Sequence, residues 1–161
     1  MRYAQIANRK SQVDMRSLMS ETGQMLMIGI SGTELLLEEA EFIYESHIGG
    51  VILFKRNCES PGQMSRLTHD LKGAATSPLI IGIDEEGGRV TRVPGSFTKL
   101  PPMARIGELD GDGGMARRAG EIVAKELSAV GINIDFAPVV DVNTNPENPV
   151  IGDRSFSDDA N

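Results

Sequence analysis

Pro78-Leu79-Ile80-Ile81-Gly82-Ile83-Asp84-Glu85-Glu86-Gly87-Gly88-Arg89 decides the fold. An apolar run without alternation stops abruptly at three carboxylates and two glycines. Strands of a parallel sheet, covered on both faces, have this continuous pattern. Three further runs resemble it, at 25–30, at 50–54 and at 132–137 with a continuation to Val142. Helix-like stretches lie between them. Residues 33–46 place Leu36, Ala40, Ile43 and Tyr44 along one face. Ser60-Pro61-Gly62-Gln63 is a helix start, in which Ser60 caps, Pro61 fits the first turn and Gln63 closes a capping box. Met64, Leu67 and Leu71 then carry the apolar face. Residues 115–130 repeat the spacing with Met115, Ala119, Ile122, Val123 and Leu127, and Gly131 sits where a left-handed cap belongs. A long loop rich in glycine and proline is expected from the carboxylates to about Gly114.

Strand and helix in alternation make an α/β chain of parallel βα units. A doubly wound sheet and a piece of a (β/α)8 barrel both fit. With 161 residues, length favours the sheet, because a whole barrel takes about 250 residues. Composition is that of one globular domain, 40% apolar and 24% charged, which excludes a disordered chain, a collagen-like repeat and a coiled coil. A net charge of −7 repels phosphate backbones, so no nucleic-acid partner is expected. Cys58 is the sole cysteine, which excludes an internal disulfide and a multi-thiolate metal site and fits a reducing compartment. No run reaches the roughly 18 apolar residues of a membrane span. Residues 1–22 read as a polar N-terminal arm, helical around 13–19, with no apolar core of an export signal, and residues 23–161 as the domain. A cytoplasmic location is the corresponding expectation.

In either architecture ligands bind at the carboxyl ends of the strands. The unusual residues collect there. The second run ends in Lys55-Arg56-Asn57, the third in Asp84-Glu85-Glu86 with Arg89 and Arg92, and the fourth in Asp141, leading to Asp153-Arg154. Carboxylates accept from hydroxyls and arginine donates through a planar fork, so such a rim can grip a polyhydroxylated ligand. Each residue also has a plainer reading. The three carboxylates could form a solvated turn, Gly87-Gly88 could supply positive φ alone, and Lys55 and Arg56 could end a solvated loop. Arg154 could be a surface ion pair, and Asp135 is either a hydrogen-bonded core carboxylate or a site residue. His47 and His69 read as ordinary helix residues. Asp110-Gly111-Asp112-Gly113-Gly114 lacks the third ligand and closing glutamate of a calcium loop. Phosphate-binding loops and a Gly-x-Ser-x-Gly elbow are not found.

Five ordered motifs resemble glycoside hydrolase family 3. Residues 49–57, Gly-Gly-Val-Ile-Leu-Phe-Lys-Arg-Asn, are similar to its second-strand segment, and residues 83–92 to its third-strand signature. Leu100-Pro101-Pro102, the stretch Asp135-Phe136-Ala137-Pro138-Val139-Val140-Asp141 with its continuation, and residues 148–156 complete the set. Ile151-Gly152-Asp153-Arg154-Ser155-Phe156 resembles the bacterial β-N-acetylglucosaminidase (β-hexosaminidase) branch, the enzymes of cell-wall recycling. The resemblance overturns the argument from length: the chain would be roughly the first half of a (β/α)8 TIM-type barrel. It implies that Asp84, Arg92 and Arg154 bind the sugar, an N-acetylglucosamine of a glycan or muropeptide. No metal and no organic cofactor is implied. In the family a Lys-His-Phe-Pro-Gly-His stretch, a loop histidine acid/base with its aspartate, and a nucleophile in a later Ser-Asp-Asp stretch supply the rest. The resemblance implies a glycoside hydrolase that removes terminal β-linked N-acetylglucosamine with retention; none of these stretches is read here, so this chain is expected to supply sugar-binding residues and to be inactive alone. A sugar-binding module, or a half-barrel that self-associates through its open edges, is the alternative. A flavodoxin-like ligand binder would need a fifth strand.

Overall fold

The computed structural model describes residues 15–109, 111 and 113–160. Among these, four parallel strands form one sheet: β1 (Met27–Gly29), β2 (Gly50–Leu53), β3 (Ile80–Ile83) and β4 (Ile134–Asp135). Their order is β1-β2-β3-β4, with Leu53 beside Ile83 and Ile83 beside Asp135. A doubly wound sheet reverses its order at a switch point. Here every crossover steps in the same direction, which is how a (β/α)8 wall is laid down. The chain is thus α/β with parallel βα units in barrel order.

The helices are α1 (Met15–Gln24), α2 (Leu37–Glu45), α3 (Pro61–Ala74), α4 (Met103–Leu109) and α5 (Gly114–Ala129). Helix α1 lies partly within the stretch read as a polar arm, most of which falls outside the described residues. Helix α3 starts as its sequence dictates, with the Gln63 amide N–H donating to Ser60 Oγ at 3.2 Å. The capping box closes differently. Gln63 Oε1 accepts from Glu59 N, one residue upstream, while its Nε2 donates to Thr33 and Asn57 carbonyls. Gln63 therefore ties α3 to two loops instead of to its own cap. Met64, Leu67 and Leu71 are buried against Val51, Leu53, Ile81 and Ile83. Each such aliphatic side chain contributes roughly 1.5–3 kcal/mol.

Three expectations are corrected. Helix α2 is shorter than 33–46, and of its apolar face Ile43 alone is buried, because Leu36 stands outside the first turn and Tyr44 points to solvent. The long loop contains α4, whose Met103 and Ile106 pack on Ala119 of α5. The strands are not equally covered on both faces. The helix-facing Val51, Leu53, Ile81 and Ile83 are fully buried, whereas Met27, Ile80 and Phe136 are 37%, 41% and 45% exposed. That contrast is what a curving wall produces, with helices on its outer face alone. Gly131 does adopt the left-handed conformation, φ 85°, and α5 ends there. No helix among the described residues is long and apolar enough to cross a membrane.

Candidate functional site

The three carboxylates after β3 take three different tasks. Asp84 stays partly exposed and accepts from the Arg92 guanidinium, Oδ2 to NH2 3.3 Å. Its other oxygen has no partner among the described residues. Glu85 is buried, and its Oε2 accepts the backbone N–H groups of Arg92 at 2.7 Å and Val93 at 3.1 Å. Glu86 is buried too and receives both arms of Arg154, Nε and NH2 each at 2.7 Å. This fork is the strong, bidentate form of an ion pair, and it raises the Arg154 guanidinium above its ordinary value. The remaining guanidinium nitrogen, Arg154 NH1, donates to the Val150 carbonyl.

The loop between these groups depends on its glycines. Gly87 and Gly88 have φ of 84° and 55°, and a Cβ at Gly88 would stand 2.9 Å from Pro102 Cα. The turn is therefore pressed against the Leu100-Pro101-Pro102 segment, with Gly88 N donating to the Leu100 carbonyl. Gly87 and Val90 bridge across it. The result carries Arg92 back over the end of β3. On the far side, Arg89 reaches Asp153 and the carbonyls of Val150 and Ile151, so the 3₁₀ turn Gly152–Arg154 is tied to the same loop.

Asp135 is a hydrogen-bonded carboxylate, one of its two readings. It is half-buried in β4, and its Oδ1 accepts from Glu85 N at 2.9 Å. Burial foremost, then the neighbouring carboxylates of Glu85, Asp84 and Glu86, push its carboxyl up to about 6 against that bond. A cavity of about 460 Å³ opens beside it, lined by Glu85, Glu86, Asp135, Met103, Ala119 and Phe156 among others. Asp84, Arg92 and Arg154 do not line it, so it backs onto the polar rim from the helix side. Arg92 Nε is buried without a partner among the described residues, a donor not spent on structure.

Of the sequence candidates, Asp84 and Arg92 are brought into contact, while Arg154 reaches the pair's neighbour Glu86. Glu85 and Glu86 read either as part of the ligand-gripping rim or as a solvated turn, and the structure buries both. Their two-residue partnership with distant backbone and with Arg154 has no local signal. Lys55 and Arg56 are exposed as a loop end, yet Arg56 donates to the Ile30 carbonyl and covers the Phe54 ring at 4.8 Å. His47 follows α2 with φ 52° and bonds Thr76, and His69 is exposed on α3. Cys58 donates to the Phe54 carbonyl, and burial pushes its thiol up to about 11. Asp110 and Asp112 of the glycine-rich loop lie outside the described residues. Among the described residues no group of three His, Cys, Asp or Glu could hold a metal ion. The letters Ser157-Asp158-Asp159 do occur, a correction to the expectation that no Ser-Asp-Asp stretch is present. They continue the fifth motif directly, in an exposed tail on no strand.

Fold and rim define the class: parallel βα units that present paired carboxylates and arginines at the carboxyl ends of the strands. The Glycosyl hydrolase family 3 N terminal domain matches residues 17–161, and the chain belongs to that family. A beta-hexosaminidase of Nitrosomonas eutropha is 44% identical over 138 residues, 81% of this chain and 39% of that protein. The glycoside hydrolase family 3 beta-N-acetylglucosaminidase from Paenibacillus sp. str. FPU-7 superposes with TM-score 0.84 at 42% identity, over 89% of this chain and 28% of that one. NagZ from Neisseria gonorrhoeae does so with TM-score 0.75 at 39% identity, over 84% of this chain and 42% of that one, in a structure that holds N-trifluoroacetyl-D-glucosamine. The chain thus spans about two fifths of the length of the curated relatives it matches.

Proposed function

We propose that this chain provides the sugar-gripping part of a retaining β-N-acetylglucosaminidase, with Asp84, Arg92 and Arg154 contacting the hydroxyls of a terminal N-acetylglucosamine. One observation carries the reading: Asp84 and Arg92 face each other at the end of β3, both partly exposed, with one Asp84 carboxylate oxygen unspent. A sugar hydroxyl both donates and accepts, so it complements such a pair. Relatives named beta-hexosaminidase support the substrate class. Retaining hydrolysis needs a nucleophile and an acid/base flanking the scissile bond. The carboxylates at this rim are committed to loop backbone and arginine, which fits binding better than either role. The same reading puts the substrate among the glycans and muropeptides of cell-wall recycling.

Calorimetric titration with millimolar N-acetylglucosamine tests it. Heat of binding is expected from the wild-type chain, with loss of about tenfold in affinity for Arg92→Ala. A flat wild-type titration would sink the proposal. Clear turnover of a chromogenic N-acetylglucosaminide, abolished in Asp84→Ala, would overturn its non-catalytic half.

A further inference from the structure

We infer that Glu85 is a positioning residue for the Asp84–Arg92 pair, fixed in turn by Asp135. This rests on the sugar-binding reading above and names what holds its two central groups in register. Arg92 lies seven residues beyond Glu85, across a turn with two glycines in left-handed conformations. Its own backbone bonds, from Glu86 N to the Val90 carbonyl and from Val90 N to the Gly87 carbonyl, stop short of Arg92. Glu85 supplies the missing fixture: one carboxylate oxygen takes two consecutive backbone N–H groups, those of Arg92 and Val93. Charge-assisted bonds of this type are roughly twice as strong as neutral ones. Val93 is itself buried in the main core, so the clamp joins the rim to the hydrophobic interior. The other end of the clamp is equally fixed. Glu85 N donates to Asp135 Oδ1, and Asp135 is paired in register with Ile83 of the neighbouring strand. A chain of contacts therefore runs from β4 through Glu85 to the backbone of Arg92. The Arg92 guanidinium meets Asp84 because its own backbone is set before any ligand arrives. Glu85 touches no ligand in this scheme; it acts through Arg92.

Amide hydrogen exchange and sugar titration on the full chain separate the two layers. In Glu85→Ala, the Arg92 and Val93 amides should exchange at least tenfold faster while those of Ile81 and Ile83 keep their protection. N-acetylglucosamine affinity should fall about tenfold in the same variant. Glu85→Gln retains an acceptor oxygen and should recover most of both. Unchanged Arg92 and Val93 exchange in Glu85→Ala would overturn the clamp. Faster exchange with unchanged affinity would reduce Glu85 to a purely structural residue and overturn its positioning role. A wild-type chain that takes up no sugar would overturn the sugar reading, and that result is read on the titration alone, independently of the exchange data.

Discussion

Replacing Arg154 by alanine probes the densest electrostatic contact of the rim. The Glu86 side chain is 5% exposed and the Arg154 side chain 24%, with two bonds of 2.7 Å between them. Removing the arginine leaves a carboxylate out of water with no cation to face. Breaking a buried pair in this one-sided way typically costs about 3–5 kcal/mol. Arg154→Ala should therefore lose roughly 3–5 kcal/mol. Urea unfolding followed by circular dichroism measures this, the chain having no tryptophan to report. Arg154→Lys keeps the charge but not the fork and should fall between. The paired variant Glu86→Leu with Arg154→Leu removes both charges, and should be more stable than Arg154→Ala alone. A loss under about 0.5 kcal/mol, as for an exposed pair, would refute the reasoning. So would a paired variant whose loss equals the sum of the single ones.

Gly107→Ala should loosen the same region without touching a charge. A Cβ there would lie 1.9 Å from the Phe156 carbonyl oxygen, so α4 must withdraw from the segment after Arg154; about 1–3 kcal/mol should be lost in urea unfolding. Asp135, pushed up to about 6 chiefly by burial, binds its proton more tightly folded than unfolded. Its contribution is thus greatest at low pH and falls as pH rises from about 4 to about 6, by about 1–2 kcal/mol once partial exposure is discounted. Asp135→Asn keeps an acceptor for Glu85 N and should flatten that segment of the stability–pH curve; an identical curve would contradict the assignment. Ser60→Ala should lose about 1 kcal/mol through the α3 cap, read as a lower urea midpoint at unchanged slope.

The strands were legible because each of four largely apolar runs contains one, the fourth despite Asn133 and Asp135 within it, and because Ser60-Pro61 and Gly131 mark helix ends by local chemistry alone. Barrel order was not legible from periodicity, since strand order is a long-range property and length pointed to the wrong architecture. Helix α4 escaped notice at seven residues with a glycine inside, although Pro102 before it and the Met103–Ile106 spacing were the available signals. At the rim the residue types were visible and their division of labour was not. Asp84, Glu85 and Glu86 are adjacent and chemically alike, so no local rule tells them apart. What separates them arrives from elsewhere in the chain: Arg92 for the first, two backbone amides and Asp135 for the second, and Arg154, 68 residues away, for the third. Because the three follow the end of β3 and meet different loops, three consecutive carboxylates serve three partners. Two are consumed in holding arginines and their loop in place, and the one left partly open is the residue with an oxygen still available to a ligand.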